Sequence, residues 1–529
     1  EIIIGNYNHL FDPHTRALTD GVVDERTFVI VDEAHRLEGR VRDLLSDRIG
    51  IQSLRRARND IAHLYTYARQ SRENREEIAA QLESYEISTD ELDRAREFYD
   101  DAIDWLNNRI SNYLEAEFDD LDRAELPDDI ELPLRDPDTE EPDEFSEWAR
   151  ENGYSAAFCK SLYTIGTAVE DVLETIEPER SCVCANIGLL LTRWWTRDHA
   201  AYFREVTLER TQRERATEWE RHYTAALVCY NCLPAEDLRE RFSDLGGGVL
   251  MSATLEPMDV FCECVGLDTP VREQTEDGEN GDDGAVERPL TNRTYDLTYP
   301  GEHRASWIVD VPAFTARNRG PPSGENEVRE TYAYALREIA RSPGNVLLCL
   351  PSYREAAWAG ERLGEALEKP VLVDEPSTDE ATEERKQAFF AGDGKVLVTS
   401  ARGTLTEGVD YDGEKLSVCA VVGVPLVNIA SPRIRAVRRA YGAAFTEENS
   451  FEYALTVPAV RRARQAIGRV IRGPEEVGVR LLVDERYTPD APRSVYEYLP
   501  PVEREEWVTM TPMFLDSQFE RFRKSHTKP

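Results

Sequence analysis

Two adjacent carboxylates, Asp32 and Glu33, follow directly on four apolar residues, Phe28-Val29-Ile30-Val31, and His35 stands two positions further on. An unbroken apolar run of this kind suits a strand buried on both faces of a parallel sheet. The acids would then project from its carboxyl end, where ligands bind in open α/β sheets. One carboxylate can hold Mg2+, directly or through its water, while the next orients the water that attacks a γ-phosphate. His35 is placed to sense the phosphate state and pass it on. The competing reading is a solvated helix start, since acids in a first turn complement the dipole; the apolar strand before them favours chemistry.

A second constellation lies far downstream, in RRARQAIGRVIRG, Arg461 to Gly473. On a helix Gln465, Arg469 and Arg472 would share one face, and Gly468 would let another backbone approach. Guanidiniums one turn apart suit a polyphosphate and can stabilise charge on a transferred phosphoryl group. Five Arg and no acid between Arg461 and Arg472 are a local reversal in a chain of net charge −39. Between the two poles, Gly246-Gly247-Gly248 predicts a tight turn and Val249-Leu250-Met251 a short buried strand, followed by Ser252 and Thr254. Hydroxyls there can bond the acids of a neighbouring strand, although alone they would read as a local turn. Arg433, Arg435, Arg438 and Arg439 fit a nucleic-acid backbone contact or a plain ion-paired helix equally well.

These residues need a scaffold. At 529 residues the chain has room for about three domains. From residue 346 onward apolar strands alternate with helical stretches: NVLLCLPS, a helix over 353–367, PVLVD, a helix over 380–390, KVLVTSA, SVCAVVGVP, a helical region, then VRLLVDE. That alternation predicts βαβ units and a parallel sheet. Its strand ends carry Ser352 and Tyr353, then the stretch 401–411. Residues 41–216 read as an insertion of charged helices, with an acidic, Pro-containing linker over 119–144. Residues 1–9 read as a short buried strand and turn, and 272–287 as a mobile surface loop. Trp194, Trp195 and Tyr202 could stack on bases, but helical spacing favours a place in the core.

No run of 18 apolar residues spans a membrane and no signal-peptide pattern opens the chain, so a soluble, cytoplasmic protein is expected. The nine Cys are scattered, which fits reduced thiols. Cys182-x-Cys184, Cys229-x-x-Cys232 and Cys262-x-Cys264 lack the close pairing of structural zinc sites, and packing is expected of them. Only 7 of the 63 basic residues are Lys; together with the acidic excess this reads as a salt-in halophile. Such a charge would argue against nucleic acid. At molar salt, however, repulsion is screened within about 3 Å, so local Arg patches must decide.

VDEAH, MSATL, PSY, TEGVDY and QAIGRVIR, in this order, resemble the motifs of superfamily 2 helicases. The GNYNHLF lead-in and the long insertion between DEAH and SAT are similar to the XPD-like and DinG-like DNA helicases in particular. The resemblance implies an α/β fold: two RecA-like parallel-sheet motor domains with a helical arch inserted in the first. By motif these are residues 1–40 with 217–268, an arch over 41–216, and a second motor domain with its tail over 269–529. It implies a monomeric DNA-repair-type motor that uses ATP with Mg2+ to move 5′ to 3′ on single-stranded DNA and to part duplex at junctions. Carried across by motif, Asp32 and Glu33 bind Mg2+ and activate water, while His35, Ser252 and Thr254 couple hydrolysis to DNA. Ser352, Tyr353, Glu407, Gly408 and Asp410 serve the nucleotide and DNA interface, and Gln465, Arg469 and Arg472 reach the nucleotide. Two departures stand against the pattern. No G-x-x-x-x-G-K-[ST] phosphate loop occurs in the chain, and the four Cys of the family's 4Fe-4S cluster would precede residue 1. The chain is therefore expected to be N-terminally truncated and inactive alone, with the cluster confined to the full-length protein. The alternative of another class is a non-hydrolysing DNA-binding scaffold on a degenerate motor fold; an RNA helicase is a rival within the motor class.

Overall fold

The structure is a computed structural model; it describes all residues except 1, 14, 16–21, 122–125, 212–215, 217, 268–289, 296–299, 325, 377, 393, 408–410, 412–414, 472 and 527–529. In chain order the described strands are β1 (Phe28–Val31), β2 (Asp47–Gly50), β3 (Asp129–Pro133), β4 (Tyr202–Arg210), β5 (Tyr223–Asn231), β6 (Gly247–Leu250), β7 (Arg304–Val309), β8 (Val346–Leu350), β9 (Val371–Val373), β10 (Val396–Ser400), β11 (Val418–Val422), β12 (Gly478–Val483) and β13 (Trp507–Met510). They form a seven-stranded sheet, order β13-β7-β12-β11-β8-β10-β9, a two-stranded β1-β6 sheet and a four-stranded β2-β5-β4-β3 sheet. The first two are parallel throughout and the third antiparallel. The fold class is α/β, consistent with two RecA-like domains.

The chain divides into two compact units. One comprises Glu25–Arg36, Phe242–Asn428 and Phe451–Pro529. Here the expected alternation is present: β8, β10, β11 and β12 are buried along their whole length, as central parallel strands with helices on both faces must be. Helices Tyr353–Ala366 and Asp379–Phe390 start at Ser352 and Thr378, whose side chains accept amide hydrogens of the first turn. β7 and β13 extend the sheet on the side that the apolar pattern did not predict.

The small sheet departs from expectation. β1 pairs with β6, but Phe28 and Ile30 are 63% and 67% exposed. Two strands supply neither a second layer nor flanking neighbours, so an apolar run is not buried by being apolar. Gly247 and Gly248 belong to β6 rather than to a turn. The tight spot is Gly246, where a Cβ would stand 2.5 Å from the Glu25 carbonyl. Nor is the start of the chain a buried strand: Ile2 and Ile4 are 90% and 95% exposed, and a short helix, Tyr7–Phe11, follows behind an Asn6–His9 capping box. Residues 272–287 lie outside the described residues.

The other unit comprises Glu1–Asp24, Leu37–Arg241 and Ile429–Ser450. Its longest helix, Thr89–Glu117, opens with a capping box between Ser88 and Glu91. It buries Leu92, Ala95, Phe98, Tyr99, Ala102, Ile103, Leu106, Ile110 and Leu114, a stripe at spacings of three and four. Trp194 is core, its indole N–H donating to Asp143 at 3.3 Å, and Trp195 packs on the same cluster. The expected linker over 119–144 contains β3, whose Ile130 and Leu132 are buried against β4. Arg433, Arg435 and Arg439 pair with Glu205, Asp138 and Glu140, which makes that helix an ion-paired one. No helix among the described residues is long and apolar enough to cross a membrane.

Candidate active site

At the carboxyl end of β1 the chain turns sharply. The Met251 amide bonds the Val31 carbonyl at 2.9 Å and the Ala34 amide bonds the Met251 carbonyl at 3.0 Å. Pairing with β6 is thereby carried past both strands, and Ser252 is set against the acids. Glu33 occupies the left-handed region, φ 51°, uncommon for a residue with a Cβ, and its amide donates to Asp32 Oδ1 at 2.9 Å. Behind it, Ala34–Arg36 forms a single 3₁₀ turn.

That turn brings three groups together. His35 Nδ1 lies 2.8 Å from Ser252 Oγ and 3.2 Å from Glu33 Oε2, and Ser252 Oγ donates to the same Glu33 oxygen at 3.4 Å. The imidazole is nearly enclosed, whereas Glu33 reaches solvent. The network continues: the Thr254 amide donates to Ser252 Oγ at 3.3 Å, and Gln465 Nε2 donates to Thr254 Oγ1 at 2.9 Å. Asp32 and Glu33, adjacent in sequence, supply hard carboxylate oxygens, a donor type suited to Mg2+ with a nucleotide's phosphates.

The Arg-rich stretch is less uniform than its sequence. The helix Val457–Ile467 ends before Gly468, and Arg469 lies in a 3₁₀ turn, Gly468–Val470. The helical face expected to unite Gln465, Arg469 and Arg472 is thus interrupted, because the i to i+4 bonding stops. Arg469 is buried, and Arg472 lies outside the described residues. A Cβ at Gly468 would meet nothing within 4 Å among the described residues, so none of their backbone closes on it. Two guanidiniums are engaged structurally: Arg461 donates to the carbonyls of Leu255, Glu256 and Pro257, and Arg464 pairs with Glu503 at 2.8 Å. The Arg461 clamp was not foreseen; five Arg without an acid carry no mark of which will bond to main chain.

In the seven-stranded sheet Ser352 caps its helix, accepting from the Glu355 amide at 3.3 Å. Tyr353 projects its hydroxyl beside Gly403, where a Cβ would come within 2.8 Å of it. Asp374, just past β9, was also missed: it is buried, accepts from Thr399 Oγ1 at 2.7 Å and pairs with Arg385 at 2.9 Å. Its signal was available, an acid directly behind the apolar run PVLV. Burial pushes the Tyr353 phenol above its ordinary range, with Asp374 adding to the rise. The Glu407 side chain, Gly408 and Asp410 lie outside the described residues.

A Helicase C-terminal domain model matches residues 335–502, and a DEAD_2 family model matches residues 1–54. The chain is 25% identical over 287 residues to the Saccharomyces cerevisiae general transcription and DNA repair factor IIH helicase subunit XPD/RAD3, covering 50% of this chain and 33% of that protein. It is 30% identical over 183 residues to a regulator of telomere elongation helicase 1 homolog of Drosophila sechellia, covering 32% of this chain and 19% of that one. The chain thus spans about a third or less of the length of these curated relatives. A solved apo structure of XPD matches with TM-score 0.50 at 17% identity, over 95% of this chain and 81% of the other. An XPD-type protein of S. tokodaii matches with TM-score 0.50 at 16% identity, over 96% and 81%; both likenesses concern the fold. Family models at both ends, helicase relatives and a shared fold agree with the motif order in supporting an XPD-like superfamily 2 helicase.

Proposed function

We propose that this chain serves as an ATP-dependent DNA helicase that moves 5′ to 3′ on single-stranded DNA and parts duplex at junctions. The observation that carries the reading is the continuous polar path from Glu33 through Ser252 and Thr254 to Gln465, with His35 closing on the first two. Mg2+ bound with ATP would supply charge neutralisation at the phosphates, held by Asp32. Glu33 orients the attacking water and accepts its proton. His35 and Ser252 hold the Glu33 carboxylate by hydrogen bonds, and Thr254 passes its position to Gln465. By motif Arg469 and Arg472 are assigned to the nucleotide, and Ser352, Tyr353, Glu407, Gly408 and Asp410 to the strand and the nucleotide.

In domain terms we assign 1–40 with 217–268 to the first motor domain, 41–216 to an arch-like insertion, and 269–529 to the second motor domain with its tail. The protein works as a cytoplasmic monomer at high salt.

The test is DNA-stimulated ATP hydrolysis in molar KCl by the product of the whole reading frame, wild type against Glu33→Gln. General-base catalysis contributes about 10²–10⁴-fold, so turnover should fall by at least about 10² while nucleotide binding survives. Undiminished turnover in the variant removes Glu33 from the chemistry. Single-stranded DNA binding with no hydrolysis in either protein points instead to a scaffold on a motor fold.

A further inference from the structure

The helical unit brings a hard carboxylate, Asp60, up to two soft thiols, Cys182 and Cys184, that lie far from it in sequence. Cys182 and Cys184 flank the start of the helix Cys184–Thr196, and Asp60 comes from the middle of the helix Ile51–Ala68. One ligand atom from each lies within 4.8 Å of the others. Two glycines fix this placement. A Cβ on Gly166 would stand 2.4 Å from the Cys184 carbonyl, and one on Gly188 would stand 2.3 Å from the Leu162 carbonyl. The helices Ala156–Ile176 and Cys184–Thr196 therefore cross backbone on backbone, leaving little freedom to the cysteine turn.

Asp60 is out of place by ordinary packing rules. It is 3% exposed on a helix face otherwise made of Leu54, Ala57, Ile61 and Leu64, and burying a charge is expensive unless it is held. It is held from outside: Arg180 donates to Oδ1 at 2.8 Å and the Val183 amide to Oδ2 at 3.1 Å. These are the outer contacts that orient a ligating carboxylate, and each carboxylate oxygen has a second lone pair. Cys184 Sγ donates to the Ala57 carbonyl at 3.2 Å, one turn before Asp60. In a tetrahedral zinc site Zn–S is about 2.3 Å, which sets two sulfurs about 3.8 Å apart, so the cluster needs only a small contraction to close on an ion.

We propose that Cys182, Cys184 and Asp60 form a binding site for a zinc-class divalent cation, which staples the cysteine turn to the helix Ile51–Ala68. The fourth position is open to water. Cys182 is partly accessible while Cys184 is buried, so the ion enters from the Cys182 side. On binding, two S–H bonds break, both protons pass to solvent, and two sulfur–metal bonds form; no electron moves.

The probe is Cd2+ titrated into reduced, metal-free protein, read by thiolate-to-metal charge-transfer absorption. The expected result is a band that saturates at one ion per chain, competes away with Zn2+, is lost in Cys182→Ser and in Cys184→Ser, and needs roughly tenfold or more Cd2+ in Asp60→Asn. Because Cys182 is at the accessible end, its variant keeps the fold and decides the matter if Cys184→Ser does not; far-ultraviolet circular dichroism monitors this. No band in the wild type overturns the proposal. So does a band unchanged in Cys182→Ser, which would place the ion on other cysteines such as Cys229 and Cys232.

Discussion

Gln465 and Glu205 are side chains whose environment makes their removal measurable. The Thr254 hydroxyl is buried and receives the Gln465 amide at 2.9 Å; leaving a buried polar group unsatisfied costs about 1–3 kcal/mol. Gln465→Ala should therefore loosen the Ser252–Leu255 turn, read as faster amide hydrogen exchange there and unchanged exchange in β8 and β11. Equal exchange at the turn would mean that the bond does not hold it. Glu205, fully buried on β4, is pushed up to about 7 by burial, with Arg433 opposing the rise and Glu131 adding to it. The folded value lies above the unfolded one, so between about pH 4.5 and 7 the folded form keeps a proton that the unfolded chain has released. The associated stability is present below about pH 4.5 and is lost as pH rises through 7, on the order of 3 kcal/mol in all. Denaturant midpoints at pH 5 and pH 8 should drop for the wild type and stay level for Glu205→Gln; parallel drops would assign the dependence to another group.

Among the elements, the glycine crossing makes the sharpest mechanical prediction. At Gly166 and Gly188 the obstruction is a backbone carbonyl, which cannot swing aside as a side chain can. Gly166→Ala should force the two helices apart and destabilise the helical unit by about 1–3 kcal/mol or more, seen as a lowered denaturant midpoint. An alanine tolerated without loss would show the crossing to be looser than it stands. Elements differed in how openly they were written. β8, β10, β11 and β12 were legible because a strand covered on both faces must be apolar at nearly every position. β4 was not: YFREVTLER hides Arg204 and Glu205 in its buried length, where Arg204 donates to the Trp194 and Arg197 carbonyls and Glu205 accepts from Arg433. A carboxylate whose guanidinium partner stands more than two hundred residues away, as Arg433 does for Glu205, looks solvent-facing in sequence. β1 shows the opposite error, an apolar run left exposed because its sheet has two strands. The DEAH, SAT and Gln465 motifs stand out in the sequence by residue type and spacing. Their connection through Ser252 and Thr254 came from strand pairing, and the break at Gly468 from a helix end that no Pro announces.

For the whole molecule, charge decides the conditions under which any of this can be measured. With 102 acids against 63 Lys and Arg, self-repulsion opposes the compact state at low salt. Raising ionic strength from about 0.1 M to about 1 M shortens the screening length from about 10 Å to about 3 Å. The same salt weakens exposed ion pairs such as Arg48–Glu209, Arg72–Glu76 and Lys524–Glu520, but each of these is worth only about 0–1 kcal/mol. Repulsion summed over a net −39 outweighs such pairs, and buried pairs such as Arg329–Glu355 at 2.9 Å are screened far less. The thermal midpoint should therefore climb with KCl into the molar range. A midpoint that falls with salt would mean that attraction between the pairs, rather than relief of repulsion, dominates the surface.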